Sequence, residues 1–352
     1  MLGLVLLSMV GVAGVAAAFG LFGSEDDAAE RVDDADLEQD LPLLDETSIE
    51  EMEQALVDDP LLAAEDILPE GDLLTPYQDE NGFAHVQGTA EGDLTAIPEE
   101  LGSDHDAVFG NAGNDVVLGN SAYNPIFGGE GGDRLFGRGG DDYLFGDEGE
   151  DTVAGGAGND LVVGGIGADV LYGGAGDDNL YDARNDLRNA DSNRADVIVA
   201  GDGDDGVVIE DGVNLVSLGE GADHVTVFAE SGDDPVAVIT DFDPAQDALL
   251  LGVYAPDVDL PQGENGIELG YTLREIETEL GRGTLVQPAG TEEITAEALG
   301  DGASVGYALL LGLRPEDLTG VDIRVVLETP LTNSVAPGSV ESVAALMGAT
   351  RL

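Results

Sequence analysis

Residues 155–181 read GGAGNDLVV GGIGADVLY GGAGDDNLY, which is one pattern of nine residues written three times in succession. Each block has glycine at its first, second and fourth positions, aspartate at its sixth and an aliphatic residue at its eighth. The same frame extends without a slip from Leu101 to Thr226 as 14 consecutive blocks. Because the aspartate at position six and the aliphatic residue at position eight recur with the same nine-residue period, the tract is predicted to be a solenoid of stacked repeats.

The sixth position is the one that carries chemistry. It is aspartate in 11 of the 14 blocks, and the exceptions are Asn124, Leu187 and Asn214. The eighth position is a large aliphatic residue in 13 blocks, and only Asn189 departs from that rule. The position-six aspartates are Asp106, Asp115, Asp133, Asp142, Asp151, Asp160, Asp169, Asp178, Asp196, Asp205 and Asp223.

The local physics of one block predicts a turn followed by a very short strand. Glycine at positions one, two and four permits positive φ and a tight turn, which a β-carbon would obstruct. The last three residues favour extended structure and place one aliphatic side chain inward. Two blocks then form one coil, so block n stacks on block n+2 with strands about 4.8 Å apart. Position-six carboxylates 18 residues apart are therefore expected to form a column at each edge.

Such columns of carboxylates require cations. Two like charges about 5 Å apart repel by roughly 1 kcal/mol in water, and several-fold more at an effective dielectric constant of about 20. Carboxylate and turn carbonyl oxygens form a hard, all-oxygen environment of about six to eight ligands, which suits Ca²⁺ better than Mg²⁺ or a transition metal. Calcium ions between adjacent coils are the predicted counter-ions.

With these residues in these positions, the tract resembles the RTX family, whose hemolysin-type calcium-binding repeats have the consensus GGxGxDxUx. The resemblance covers 126 of the 352 residues. It implies an all-β fold built on a right-handed parallel β-roll, with Ca²⁺ held between successive turns by aspartate carboxylates and turn carbonyl groups. The turn glycines included in the implied metal sites are Gly129, Gly131, Gly156, Gly158, Gly165, Gly167, Gly174 and Gly176.

Carried over block by block, the resemblance places about seven calcium ions between pairs of aspartates. One edge offers the pairs Asp115–Asp133, Asp133–Asp151, Asp151–Asp169 and, beyond a break at Leu187, Asp205–Asp223. The other edge offers Asp142–Asp160, Asp160–Asp178 and Asp178–Asp196. Pairings through Asn124 or Asn214 lose a charge and are expected to bind weakly.

Block ten, DARNDLRNA at 182–190, lacks both the aspartate and the aliphatic residue of the repeat. It carries Arg184 and Arg188 instead. We interpret it as a bulged coil that keeps the register of the stack. The alternative is a true insertion that happens to be nine residues long.

The overall composition is strongly acidic and excludes several classes of function. The chain contains 74 Asp or Glu and 11 basic residues, all of them Arg, for a formal net charge of -63. Nucleic acids and anionic membrane surfaces require clustered positive charge, so neither is an expected electrostatic partner. Cysteine is absent, which excludes disulfides, thiolate metal sites and cysteine nucleophiles.

The N-terminal part of the chain divides into an apolar and an acidic segment. Residues 1–23 are almost wholly apolar and are long enough to span a bilayer as a helix. Two interpretations stay open: an uncleaved membrane anchor, and a cleaved secretory signal with Ala16–Ala18 at its cleavage site. Residues 24–100 follow as an acidic, mostly disordered linker, in which Ser48 and Glu51 could cap one short helix.

Residues 227–352 are expected to form a β-rich C-terminal domain that caps the roll, since the last coil of a solenoid otherwise exposes its core. Its Asp241, Asp243 and Asp247 are interpreted as solvated turn carboxylates, with a further cation site as the alternative.

No motif in the chain predicts catalysis. G-x-S-x-G occurs at Gly302–Gly306, yet His85, His105 and His224 all precede it, whereas in α/β-hydrolases the histidine follows the serine. The expected protein is therefore a non-enzymatic, extracellular or cell-surface bacterial calcium-binding protein whose roll folds when Ca²⁺ binds. The alternatives are a surface adhesin or matrix protein, and an RTX hydrolase with a catalytic domain in 254–352.

Overall fold

Extended segments follow one another at the nine-residue spacing of the repeat through the part of the chain that the computed structural model describes. Those residues are 77–78, 84–97, 107–182, 196–210, 212–228, 236–254, 267–278, 280–289 and 304–328. They include a 3-10 helix, Pro315–Leu318. Their strands are β1 (Tyr77–Gln78), β2 (Ala84–Gln87), β3 (Leu94–Ala96), β4 (Ala107–Ala112), β5 (Val116–Leu118), β6 (Pro125–Glu130), β7 (Arg134–Gly139), β8 (Tyr143–Glu148), β9 (Thr152–Ala157), β10 (Leu161–Ile166), β11 (Val170–Ala175), β12 (Asn179–Tyr181), β13 (Val197–Asp202), β14 (Gly206–Ile209), β15 (Val213–Glu220), β16 (His224–Val227), β17 (Val236–Ile239), β18 (Ala248–Tyr254), β19 (Ile267–Leu269), β20 (Tyr271–Thr278), β21 (Gly281–Pro288), β22 (Ser304–Val305), β23 (Tyr307–Leu311) and β24 (Asp322–Glu328).

Successive strands of the repeat alternate between two sheets. The first sheet runs β1-β2-β4-β6-β8-β10-β12-β14-β16-β18-β24-β19, with β22 also paired to β18, and the second runs β20-β21-β23-β17-β15-β13-β11-β9-β7-β5-β3. From β2 to β24 in the first sheet and from β3 to β23 in the second, every neighbouring pair is parallel. The described residues therefore form a parallel β-roll, which confirms the predicted all-β solenoid.

The aliphatic residue at position eight forms the core between the two sheets. In the first sheet Leu144 pairs with Val162, and Val162 pairs with Leu180, each step being 18 residues. All three side chains are 0% exposed, as are Val153 and Leu171 of the second sheet, and the five belong to one core cluster.

The strands are longer than the three residues predicted for each block. Strand β10, for example, comprises the last three residues of one block and the first three of the next. The glycines at positions one and two thus lie within strands, because the ladder of backbone hydrogen bonds continues until the chain turns at positions four and five.

Block ten is an insertion, and the predicted bulged coil that keeps register is wrong. Residue pairs on either side of it are 27 apart instead of 18: Val170 pairs with Val197, and Asn179 pairs with Gly206. In the strand pairs before and after the insertion, paired residues are again 18 apart in sequence. The physical reason is that block ten has neither an aliphatic side chain for the core nor an aspartate for the edge, so leaving it out of the stack preserves both.

The roll also begins before Leu101 and continues after Thr226, so these predicted boundaries do not separate structural units among the described residues. Strand β2 pairs with β4, and β3 with β5, at an offset of 22 residues. Residues 88–96, GTAEGDLTA, fit the repeat, and four further residues, 97–100, precede the frame that starts at Leu101. At the other end β17, β18, β23 and β24 extend both sheets, and antiparallel β19, β20 and β21 end them.

The interpretations of residues 1–76, an apolar helix and an acidic linker, lie outside the described residues. Within the described ranges, no helix has the length and apolar character needed to cross a membrane.

We predict that Leu144→Ala lowers the free energy of unfolding by about 2 to 5 kcal/mol, because removing the fully buried side chain leaves a cavity in the core between the two sheets. Glu148→Ala changes an exposed residue of the same strand and is expected to cost less than about 0.5 kcal/mol. Urea unfolding of both variants in excess Ca²⁺ measures the difference, and equal costs would contradict the assignment of the core.

A second prediction concerns the insertion. Deleting residues 187–195 leaves four residues between Asp182 and Asp196, as in a regular block, and is expected to preserve folding because the strands on both sides keep their partners. Deleting 155–163, a regular block, removes Val162 from the core and shifts all later blocks to the opposite edge, and is expected to abolish folding. Circular dichroism in Ca²⁺ compares the two deletions, and loss of β structure in the first would contradict the insertion.

Candidate metal centres at the two edges of the roll

The position-six aspartates form two columns, one at each edge, and all of them that the structure describes are buried. Within each column, the backbone N of every aspartate but the last donates to Oδ1 of the aspartate one coil further on, at 2.7 to 2.9 Å. The first column is Asp115, Asp133, Asp151, Asp169 and Asp196, and the second is Asp142, Asp160, Asp178, Asp205 and Asp223. We call the space between two successive members of a column a gap.

The insertion changes which aspartates pair with one another across it. Asp169 donates to Asp196 and Asp178 donates to Asp205, in each case across 27 residues. The predicted pair Asp178–Asp196 is therefore wrong, and so is the predicted break at Leu187. The pair Asp205–Asp223 exists, but it lies in the second column and not in the first.

The second carboxylate oxygen, Oδ2, faces the gap. It is buried and has no hydrogen-bond partner among the described residues in Asp115, Asp133, Asp142, Asp151, Asp160, Asp178, Asp205 and Asp223. A β-carbon built on Gly155, at position one, would meet Asp160 Oδ2 and, at 2.7 Å, the carbonyl oxygen of Gly173 in the next coil. Glycine at position one thus leaves room for two oxygen atoms that approach the same point.

Turn carbonyl groups add further oxygens at each gap. The carbonyl oxygens of Gly156 and Gly158, at positions two and four, point at Gly174 and Gly176 one coil on, so closely that a β-carbon there would clash. The predicted glycines lie at these two positions, with positive φ for Gly129, Gly131, Gly156, Gly158, Gly165, Gly174 and Gly176. The structure brings them together with the aspartates, and their role as ligands stays a prediction.

Burial raises the pKa of these carboxyl groups, and neighbouring carboxylates raise it further. The pKa is raised to about 8 in Asp142, Asp151 and Asp178. It is raised to about 7 in Asp133 and Asp205, and to about 6 in Asp160 and Asp223. Desolvation is the largest cause in each, because it disfavours the ionised form. A cation in the gap would supply the missing compensation.

The donor set fits Ca²⁺. Among the described residues, no three His, Asp or Glu side chains form a cluster that could hold a metal ion by themselves. An ion in a gap would therefore need backbone carbonyl oxygens as well as carboxylates. All these ligands are oxygens, as Ca²⁺ prefers, and none is a nitrogen or sulfur of the kind that selects a transition metal.

Two further aspartates extend the columns, and the repeat frame missed both. Asp93 donates its N to Asp115 Oδ1 at 2.6 Å, and the signal for it was the GTAEGD turn at 88–93. Asp223 donates its N to Asp247 Oδ1 at 3.1 Å, and Asp247 is 5% exposed, so its interpretation as a solvated carboxylate is wrong. Asp241 and Asp243 are exposed, as predicted. Asp106 lies outside the described residues.

Asparagine keeps the stacking bond at position six without the charge. Asn214 Oδ1 accepts from the N of Asp196 at 2.7 Å, and its Nδ2 donates to Asp182 Oδ2 at 2.6 Å. The N of Asn124 donates to Asp142 Oδ1 at 2.7 Å.

Comparison with protein families agrees with this geometry. A family model described as the RTX calcium-binding nonapeptide repeat, in four copies, matches residues 101–122, 127–162 and 154–181. The predicted resemblance to that family is confirmed. Among solved structures, the solution structure of the AlgE6R3 subunit from the Azotobacter vinelandii mannuronan C5-epimerase is 16% identical, with coverage of 72% of this chain and 82% of that chain and a TM-score of 0.15. No curated protein matches the chain.

The raised pKa values predict how stability depends on pH when divalent cations are removed. The pKa of these aspartates is about 6 to 8 in the folded chain and about 3.9 when unfolded, so the folded state binds more protons between these values. Stability is therefore expected to fall as pH rises from about 4 to about 8.

Circular dichroism in chelator from pH 8 down to pH 5 tests this, and we expect β structure to increase as the pH falls. Saturating Ca²⁺ serves as the control, because the cation replaces the protons and should remove the gain. A chelated protein with the same β content across this range would contradict the prediction.

Proposed function

We propose that this chain, which carries RTX calcium-binding nonapeptide repeats, is an extracytoplasmic calcium-binding protein whose roll folds when Ca²⁺ enters the gaps between stacked turns. The observation that carries the proposal is the row of buried Oδ2 atoms at each edge. An ionised, buried and unbonded carboxylate is strongly unfavourable, and a repeating array of them requires a compensating charge.

The number of ions in this proposal follows from the observed columns. Four gaps in each column have aspartate on both sides, which makes eight among the position-six aspartates, compared with about seven expected from the sequence. The difference arises because the insertion removes the break at Leu187, so that the pairs Asp169–Asp196 and Asp178–Asp205 replace the single predicted pair Asp178–Asp196.

Folding and binding are coupled in the proposal because the gaps exist only when the coils are stacked. In the unfolded chain the aspartates are solvated and separated, so the two carboxylates of a gap are not preassembled. The free energy of calcium binding then becomes free energy of folding, and the same equilibrium governs both. Glycine-rich turns and repelling columns leave the calcium-free chain few contacts to offset the loss of backbone entropy.

The extracytoplasmic location is supported by the same coupling. Calcium-binding modules that work outside cells have dissociation constants of about 10⁻⁴ to 10⁻³ M, a range that keeps such a chain unfolded where Ca²⁺ is scarce. A chain of this kind folds after export. Cell fractionation, together with the mass of the N-terminal peptide, tests the location and shows whether residues 1–23 are retained; recovery in the cytoplasm would contradict it.

We propose no catalytic activity for the chain. Of its histidines, His224 lies exposed in β16 and His85 packs its ring 6.3 Å from the ring of Phe109. The protein's work is proposed to be the calcium-dependent assembly of a long, rigid and acidic surface.

We predict that β structure is lost in EDTA and returns with Ca²⁺, and that calorimetry counts eight to ten ions. Eight correspond to the gaps between position-six aspartates, and up to two more to the gaps Asp93–Asp115 and Asp223–Asp247. Asp151→Asn should lower the count by one or two, because Asp151 borders two gaps. It should keep the stacking bond, as Asn214 does.

Glu148→Gln, an exposed change in the same turn, is the matched control and should leave the count unchanged. Equal β content in EDTA and in Ca²⁺ would refute coupled folding. An unchanged count in Asp151→Asn would refute the assignment of the edges.

A further inference from the structure

Arg138 stands at position two of its block, where the repeat has glycine. Its φ is 77°, and Gly156, at the same position one coil on, has a φ of 114°. A residue with a β-carbon is disfavoured in this left-handed region. A favourable contact of the arginine side chain in the turn is therefore needed to offset this unfavourable backbone conformation.

Side chains at position two enter the gap. A β-carbon built on Gly156 would point at the carbonyl oxygen of Arg138 in the coil before it, and Gly174 relates to Gly156 in the same way. Asn111, also at position two with a φ of 77°, donates from Nδ2 to the Gly88 carbonyl oxygen of the previous coil at 2.7 Å. A position-two side chain therefore spans the same space that a cation would use.

Arg138 makes the corresponding contact with its guanidinium group. Its Nη1 donates to the carbonyl oxygen of Gly119, at position one of the previous coil, at 3.4 Å. Its Nε is buried. A fixed positive charge is thus held between block 119–127 and block 137–145, against a turn carbonyl oxygen of the type proposed to bind Ca²⁺ elsewhere in the roll.

The same gap is the one in which asparagine replaces aspartate. Asn124 Oδ1 accepts from Asn120 N at 2.8 Å, and its Nδ2 donates to Asn120 Oδ1 and to the Tyr123 carbonyl oxygen, each at 3.1 Å. Its amide is thus bonded within its own turn. With Asp142 as its one carboxylate and Arg138 as a cation, this gap has a formal charge near zero, whereas the next gap, between Asp142 and Asp160, has two carboxylates.

We propose that the gap between Asn124 and Asp142 takes no Ca²⁺ and that the guanidinium of Arg138 stands in place of the ion. The inference rests on the proposed calcium binding of the other gaps. It deepens that proposal, because it names a gap that binds no ion. Two coils are then joined by the Asn124–Asp142 stacking bond and by Arg138 without any ion. A calcium-independent contact lies next to the gaps that need Ca²⁺, where it can start the stack.

The test restores the repeat at both positions. In the full chain, Asn124→Asp with Arg138→Gly recreates the aspartate and the glycine of a regular gap. This double variant is expected to bind one more Ca²⁺ than the unmodified chain, counted by native mass spectrometry and by calorimetry. Each single variant is expected to bind the same number as the unmodified chain. In Asn124→Asp the guanidinium of Arg138 still occupies the place of the ion, and in Arg138→Gly the gap still has only one carboxylate, because Asn124 supplies none.

Arg282→Gln removes an exposed arginine from the β20–β21 hairpin and controls for the loss of one positive charge. It should leave the number of bound Ca²⁺ ions unchanged. The proposal is overturned if the double variant folds in Ca²⁺ without an additional ion, or if Asn124→Asp alone gains one. Should the double variant fail to fold, the count in Asn124→Asp decides by itself. An unmodified chain that binds no Ca²⁺ would instead refute the proposed function, so the two failures are distinguishable.

Discussion

The rest of the roll depends on one hydrogen bond, from the backbone N of a position-six aspartate to Oδ1 of the aspartate one coil further on. This bond joins the coils at both edges at 2.7 to 2.9 Å. It engages one carboxylate oxygen and leaves Oδ2 buried beside the turn carbonyl groups. The contact that stacks the coils is therefore also the contact that accumulates negative charge, and the fold and its need for cations have a common origin.

The glycine pattern follows from this bond. Position one is glycine in every block from 110 to 181, where an oxygen of the position-six side chain occupies the space of a β-carbon, as at Gly155 and Asp160. Ala200 and Leu218 take this position in two later blocks. At position four a carbonyl oxygen of the previous coil lies where a β-carbon would be, as at Gly158. Position two is the tolerant one, because a side chain there enters the gap. That tolerance explains why Arg138 can change the chemistry of one gap without changing the stack.

Much of the site could be predicted because its requirements are local. From Asp115 to Asp178, each position-six aspartate lies five residues after the glycine that makes room for it, so residue types alone identified both the turn and its carboxylate. The errors arose where the chain adds residues between blocks. Asp93 was missed because 97–100 interrupt the frame, and Asp196 was placed on the wrong edge because block ten was counted as part of the stack.

Residue types and their spacing were enough to establish a calcium-binding repeat protein with an aliphatic core, because positions six and eight are set by contacts within one block and its nearest neighbours. Which coils face one another could be read only from the folded chain. Leaving nine residues after Asp182 out of the stack keeps the core positions filled and the edge aspartates bonded, whereas including them would place Asn189 in the core and Leu187 at the edge. That choice is made by hydrogen bonds and packing between coils, which no local pattern records.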